Sequence, residues 1–126
     1  MCGIVGIFNL DREPVSPALL REMTDAITHR GPDGEGLYVD SFVGLGHRRL
    51  AILDLTPLGH QPMITVDGQY VLTYNGQIFN FRELRVELQS FGHKFKSRSD
   101  SEVVMYAYAH WGVECVNHFN GMFAFG

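Results

Sequence analysis

The chain has 126 residues, with ten basic and 14 acidic side chains and a formal net charge of −4. This length suits one domain with a hydrophobic core of its own. The scattered Lys and Arg residues argue against a nucleic-acid or anionic-membrane partner, and no stretch is apolar enough to span a bilayer.

The chain contains only two cysteines, Cys2 and Cys115. Two cysteines do not make a disulfide framework, so a reducing, cytoplasmic setting is predicted. The first apolar run lacks a basic leader and is followed at once by charged residues 11–13, which is not typical of a signal peptide. The six histidines show no paired spacing on a helix and have no C-x-x-C beside them, so we predict no metal site.

Cys2 follows the initiator Met1, and a small residue in this position is exposed when the methionine is removed. The mature chain would then begin with a thiol and a free α-amine, whose ordinary pKa is about 7.7 to 8.0. These two groups supply a nucleophile and a proton relay on one residue. The alternative is that Cys2 is a chance small residue behind Met1.

The first half of the chain predicts a strand, a helix and several further strands. Residues 4–8 form an apolar run suited to a buried strand. Ser16 and Pro17 are typical of a helix start, and apolar residues recur after them at helical spacing; these are Leu19, Leu20, Met23, Ala26 and Ile27. Alternating residues 36–40, 42–46 and 49–54 predict antiparallel strands around residues 40–41.

The second half predicts a hairpin, two helices and a last strand. The dipeptide 67–68 (Asp-Gly) lies between apolar runs 63–66 and 70–74 and predicts a hairpin. Capping boxes are predicted at Asn80 with Glu83 and at Ser99 with Glu102, starting helices that end at glycines 92 and 112. Residues 119–126 predict a buried strand whose outward neighbour is missing, and the whole order predicts an α+β fold.

Six motifs occur along the chain in one order. They are residues 1–6 (MCGIVG), 29–34 (HRGPDG), 47–54 (HRRLAILD), 74–80 (YNGQIFN), 99–103 (SDSEV) and 120–125 (NGMFAF). In this combination the chain resembles the glutaminase domain of class II (type 2) glutamine amidotransferases, which are N-terminal nucleophile hydrolases. Within that class it is most similar to the glutamine-hydrolysing asparagine synthetase group.

The resemblance implies a four-layer α-β-β-α sandwich, with residues 1–126 as a C-terminally incomplete amidotransferase domain. It implies hydrolysis of L-glutamine without a cofactor in these residues. A synthetase domain, absent from this sequence, would use ATP, Mg and the released ammonia to convert aspartate to asparagine. Relatives of this kind also imply a possible homodimer.

The resemblance assigns catalytic roles to Cys2, Asn75 and Gly76. Cys2 would attack the side-chain amide of glutamine, and the Asn75 amide with the Gly76 N–H would form the oxyanion hole. An ordinary Asn-Gly hairpin turn is the alternative for this pair. The three residues 77–79 before the Asn80 cap are too few for a returning strand, which disfavours that turn.

The resemblance also assigns the residues that would bind the charged groups of the substrate. Arg49 would bind the α-carboxylate, and Asp100 the α-ammonium. The alternatives are a solvated Arg49 like its neighbour Arg48, and an Asp100 that merely complements the helix dipole. The complete set of expected substrate-binding residues is Arg49, Leu50, Ala51, Ile52, Leu53, Asn75, Gly76, Gln77 and Asp100.

Gln77 departs from the family pattern, which commonly has a glutamate at this position. A neutral amide accepts a hydrogen bond but supplies no charge, so we expect a raised KM for glutamine. Two further interpretations stay open: an amidotransferase acting on a different carboxylate, and a non-catalytic glutaminase-like module. The residues Arg30 and Asp33 belong to a loop near the expected glutamine pocket and receive no specific chemical role.

Overall fold

A computed structural model describes residues 1–52 and 57–126. The helices are α1 (Pro17–Ala26), α2 (Phe81–Ser90) and α3 (Asp100–Trp111). The strands are β1 (Gly3–Phe8), β2 (Gly34–Asp40), β3 (Val43–Arg49), β4 (Met63–Ile64), β5 (Val71–Leu72), β6 (Tyr74–Ile78) and β7 (Gly121–Phe125). Three short 3-10 segments, which were not predicted, cover Thr28–Arg30, Pro57–Gly59 and Gly112–His118.

The described strands form three antiparallel groups. β3 lies between β1 and β2, β4 pairs with β5, and β6 pairs with β7. The β4–β5 pair confirms the predicted hairpin, although each of its strands has only two residues. β6 begins separately, after a break at Thr73.

The two larger strand groups face each other, and helices cover their outer sides. On one side α1 packs on β1, β3 and β2, and on the other α3 packs on β6 and α2 packs on α3. Between the groups, the Thr73 hydroxyl donates to the Gly46 carbonyl at 3.1 Å. The predicted α+β, four-layer α-β-β-α arrangement is therefore confirmed.

Helix α1 begins as predicted but buries a different stripe. The Ser16 hydroxyl accepts from the Leu19 N–H at 3.3 Å, and Pro17 occupies the first turn. The buried residues are Leu20 and Thr24, whereas Leu19 is 50% exposed. Thr24 is tolerated inside because its hydroxyl donates to the Leu20 carbonyl at 2.7 Å.

Neither predicted capping box forms completely. The Asn80 side chain makes no cap bond; it donates to His118 O and accepts from Asn120 N, both at 2.9 Å. Long-range bonds to the segment directly before β7 thus replace the local cap. Ser99 does cap α3, but the Glu102 carboxylate accepts from the Ser97 N–H at 2.7 Å instead of reaching back to Ser99.

Three strand predictions are wrong in part. The apolar run 4–8 does form a strand, but it is not buried, since Phe8 is 62% exposed. β3 ends at Arg49, so Leu50 to Ile52 do not continue it, and residues 53–54 lie outside the described residues. β7 covers only Gly121–Phe125, and its side chains alternate, with Met122 73% exposed. Successive side chains of a strand lie on opposite faces of the sheet, so the apolar sequence of β7 did not ensure that both faces are buried.

The largest buried cluster lies between β6 and the helices α2 and α3. Its fully buried members are Ile78, Leu88, Val103, Val104, Ala107 and Cys115. Cys115 is a core residue, since none of its surface is exposed. This cluster holds β6 and the first turn of α3 as one unit, and both border the cavity described next.

Among the residues described, no helix is sufficiently long and apolar to cross a membrane. Within the same residues, no group of three or more His, Cys, Asp or Glu side chains is arranged to hold a metal ion.

Candidate active site

One small cavity, with a volume of about 140 Å³, lies where β1, β3, β6 and the start of α3 meet. The residues that line it come from separate parts of the chain: Met1, Cys2, Arg49, Leu50, Ala51, Ile52, Gly59, Gln61, Tyr74, Asn75, Gly76, Gln77, Ser99, Asp100 and Ser101. Every predicted site residue that the structure describes is in this set; Leu53 lies outside the described residues.

Cys2 enters the cavity directly before β1 and is half-buried. Its Sγ accepts from the Leu50 N–H at 3.3 Å and lies 3.6 Å from the Leu50 carbonyl oxygen. The Arg30 guanidinium donates to the Cys2 carbonyl at 3.1 Å. Met1 is 69% exposed and also lines the cavity, so its removal would place the α-amine of Cys2 there.

Arg49 and Arg48 point to opposite faces of β3, as successive strand residues do. Arg49 lines the cavity. Arg48 instead donates to Thr24 O at 3.1 Å and pairs with Asp25 and, at 3.0 Å, with Glu35. Its side chain is only 13% exposed, so the description of Arg48 as a solvated residue was wrong.

Leu50 and Ala51 pass the cavity as a loop that Asp33 holds in place. The Asp33 N–H donates to the Arg49 carbonyl, and the Asp33 carboxylate accepts from the Ala51 N–H, each at 2.9 Å. These bonds draw the chain away from the sheet after Arg49. The loop containing Arg30 and Asp33, to which the sequence assigned no role, therefore supports the segment that contacts Cys2.

Asn75 and Gly76 lie inside β6, so the alternative of a hairpin turn is excluded. Both line the cavity. A Cβ on Gly76 would lie 2.5 Å from Met122 O and 2.6 Å from Phe123 Cα. The glycine is thus required by the close approach of β7, a constraint independent of any ligand.

Gln77 and Asp100 approach the cavity from β6 and from the first turn of α3. Asp100 is only 5% exposed. Its Oδ2 accepts from the Tyr74 hydroxyl at 2.7 Å and from the Ile78 N–H at 3.1 Å. A dipole-only role does not account for this placement, because the carboxylate is buried and bonded to β6.

Sequence reasoning missed four polar residues of the cavity, which are Gln61, Tyr74, Ser99 and Ser101; Ser99 was predicted only as the cap of α3. Gln61 is buried, accepts from the Tyr74 N–H at 2.6 Å and donates to the Ser101 hydroxyl at 3.2 Å. Tyr74 directly precedes the Asn-Gly motif, which was the one signal available for it. Ser101 adjoins Asp100, whereas nothing near Gln61 in the sequence indicated a buried amide.

A buried histidine joins the two sheets behind the cavity. His47 is 1% exposed, and its Nε2 lies 3.1 Å from the Tyr74 carbonyl oxygen. Since a carbonyl only accepts, Nε2 carries the hydrogen and Nδ1 the lone pair. Burial lowers the pKa of His47 to about 4, against the opposing effect of the Tyr74 bond, and His60 and Arg49 lower it further.

We expect His47 to make the fold acid-sensitive. Its pKa is below the ordinary 6.5 in the folded chain, so the unfolded chain takes up the proton first as the pH falls. The contribution of neutral His47 to the free energy of unfolding is complete above about pH 6.5. It is lost as the pH falls from there to about 4, the pKa of His47 in the folded chain. Denaturant titration should show the free energy of unfolding decreasing by about 2 kcal/mol from pH 7.5 to pH 5 on this account.

The His47→Gln variant is the matched control for this pH dependence, because glutamine retains an amide donor and does not titrate. The difference between wild type and variant isolates the histidine from the carboxylates. Equal pH dependence of the two proteins would contradict the expectation.

Comparison with known proteins identifies the family. A family model described as a glutamine amidotransferase domain matches residues 1–126. Among curated relatives, asparagine synthetase (glutamine-hydrolyzing) 1 of Bacillus subtilis is 42% identical over 99% of this chain and 20% of its own length. Asparagine synthetase (glutamine-hydrolyzing) 2 of Oryza sativa is 40% identical over 99% of this chain and 21% of its own. The chain thus spans about a fifth of the length of these relatives.

A solved structure supports the same fold. Glutamine phosphoribosylpyrophosphate amidotransferase from B. subtilis matches with a TM-score of 0.79 and 19% identity, over 97% of this chain and 34% of that one. At this identity the match concerns the fold alone. From the family match over its whole length, together with this fold, we conclude that the chain belongs to the glutamine amidotransferase domain family.

Proposed function

We propose that Cys2, after removal of Met1, hydrolyses glutamine to glutamate and ammonia. The observation that carries the proposal is the meeting of four chain segments at one cavity: Cys2, Arg49, Asn75 with Gly76, and Asp100 all line it. A nucleophile, a cation, two oxyanion donors and a carboxylate are the groups that glutamine hydrolysis requires.

In the first half of the proposed reaction, the Cys2 thiol transfers its proton to the α-amine as Sγ bonds to the side-chain amide carbon of glutamine. The carbon–nitrogen bond then breaks, and the nitrogen leaves as ammonia with that proton. This gives a thioester on Sγ. Water adds to the thioester carbon, the carbon–sulfur bond breaks, glutamate departs and the thiol is restored.

Each tetrahedral intermediate carries a negative oxygen, which Asn75 and Gly76 would stabilise from the rigid strand β6. Arg49, on the cavity side of β3, would bind the α-carboxylate. Asp100 would accept from the α-ammonium; its burial excludes water, which strengthens an ion pair inside the cavity. Leu50, Ala51, Ile52 and Leu53 would contact the substrate through their backbone.

We further propose that the ammonia serves asparagine formation from aspartate. The support is the name shared by the curated relatives, asparagine synthetase (glutamine-hydrolyzing). ATP and Mg would act in a synthetase segment that lies outside these residues, and the amide acceptor is decided there.

A glutamine-mimicking diazoketone tests the proposed nucleophile. The reagent should alkylate Cys2, adding one equivalent to the peptide that begins at this residue, and excess glutamine should block the labelling. Peptide mass spectrometry also reports whether Met1 has been removed in the labelled molecules. Cys115 is the internal control, because it is fully buried and should stay unlabelled. Absence of label at Cys2, or labelling that glutamine does not block, would refute the proposal.

Gln77→Glu should lower the KM for glutamine, because a carboxylate beside the cavity adds charge that the present amide lacks. A half-exposed charge interaction of this kind is worth about 0.2 to 1 kcal/mol, so a change of about 1.4- to fivefold is expected. Steady-state glutamate release measures it, with Gln69→Glu as a control outside the cavity. A KM unchanged within error would contradict the assignment of Gln77 to the ammonium subsite.

A further inference from the structure

Tyr74 is held at three points within the buried interior, and it is 3% exposed. Its carbonyl oxygen lies 3.1 Å from His47 Nε2, and its N–H donates to Gln61 at 2.6 Å. Its hydroxyl donates to Asp100 at 2.7 Å.

The main-chain bonds fix the start of the strand that carries the proposed oxyanion donors. Tyr74 is the first residue of β6, and its peptide carbonyl leads directly into Asn75. The pairing of β6 with β7 also begins at Tyr74, which lies opposite Phe125. His47 therefore holds this strand toward β3, whose end carries Arg49.

The side-chain bond fixes the proposed ammonium acceptor. Burial raises the pKa of Tyr74 above its usual range, and the Asp100 carboxylate and Cys2 raise it further. The phenol consequently stays protonated and donates to Asp100. With the Ile78 N–H, it holds Oδ2 in one orientation.

We propose that Tyr74 is a positioning residue shared by the two ends of the cavity: its hydroxyl orients Asp100 toward the substrate ammonium, while its main chain, held by His47 and Gln61, orients Asn75 and Gly76. The inference rests on the proposed glutaminase function. It predicts that the two kinds of support affect different kinetic constants.

Tyr74→Phe removes only the hydroxyl and retains the main-chain bonds. The KM for glutamine should rise about tenfold, the usual worth of a hydrogen bond to a charged group, while kcat stays within twofold. The monoamide of glutaric acid, which is glutamine without its α-amino group, should show no such rise. Tyr108→Phe is the matched control, because Tyr108 is 40% exposed and does not line this cavity.

His47→Leu removes the main-chain support and should lower kcat about tenfold with KM within twofold. His47→Gln, which can donate an amide hydrogen to the Tyr74 carbonyl, should restore most of the loss. If His47→Leu does not fold, Gln61→Leu, which removes the acceptor of the Tyr74 N–H, tests the same support. Its kcat should fall while KM stays within twofold, and an unchanged kcat would overturn this half of the inference.

An equal rise in KM for both substrates in Tyr74→Phe, or no rise for glutamine, would overturn the inference while leaving the glutaminase proposal intact. A wild-type protein lacking Met1 that releases no glutamate from glutamine would overturn both.

Discussion

Cys2→Ala should reduce glutamate release from glutamine by at least about 10³-fold, because it removes the atom that forms the thioester. The remaining cavity would still offer the proposed oxyanion donors and the charged groups, so slow water attack would be the only route left. Glutamine should still bind, since Arg49 and Asp100 are unchanged. Glutamate release and glutamine binding by calorimetry measure the two effects separately.

Cys115→Ala provides the matched control for this variant. Cys115 lies in the core between β6 and the helices and does not line the cavity. Its loss should lower the free energy of unfolding, without changing kcat per folded molecule more than about twofold. Substantial turnover by Cys2→Ala would refute the nucleophile assignment, whatever the control shows.

Asn75→Ala should lower kcat by about 10²- to 10³-fold, the typical cost of losing one oxyanion-hole donor. The KM should change little, because the donor acts on charge that develops only in the transition state. The backbone of β6 and its pairing with β7 are retained in the variant, so the fold should persist. Steady-state kinetics with a denaturation midpoint on the same sample tests this expectation.

Asn117→Ala is the corresponding control, since Asn117 is exposed and bonds only locally, to Glu114 at 2.6 Å. A comparable loss of kcat in both variants would indicate a general effect of destabilisation. A loss confined to KM in Asn75→Ala would place Asn75 in substrate binding and leave the oxyanion hole without its side-chain donor.

Local sequence signals predicted the helices well and the strand ends poorly. Ser16 and Ser99 mark helix starts through bonds to residues three positions away, so the signal and its effect are close in sequence. Asn80 shows the limit of this reasoning. Its side chain bonds to His118 and Asn120, and a contact across 38 to 40 positions competes with a local cap in a way that no local pattern reveals.

The end of β3 illustrates the same limit near the cavity. The alternating residues 49–54 predicted a strand of their own, but β3 ends at Arg49 and Asp33 bonds to the backbone on both sides of Leu50. Those bonds outweigh a β propensity that is weak and dependent on context. The result matters for function, because the diverted Leu50 backbone is what contacts the Cys2 sulfur.

The sequence by itself determined the identity of the chemical groups: a thiol behind Met1, the Asn75–Gly76 pair, Arg49 and Asp100, in the order of one family. Tertiary structure decided which of them meet and how they are held. It turned Arg48 toward α1, buried Asp100 against Tyr74, and placed His47 and Gln61 behind β6. The physical reason is that motifs are local in the chain, whereas burial and long-range hydrogen bonds arise only when the two sheets pack together.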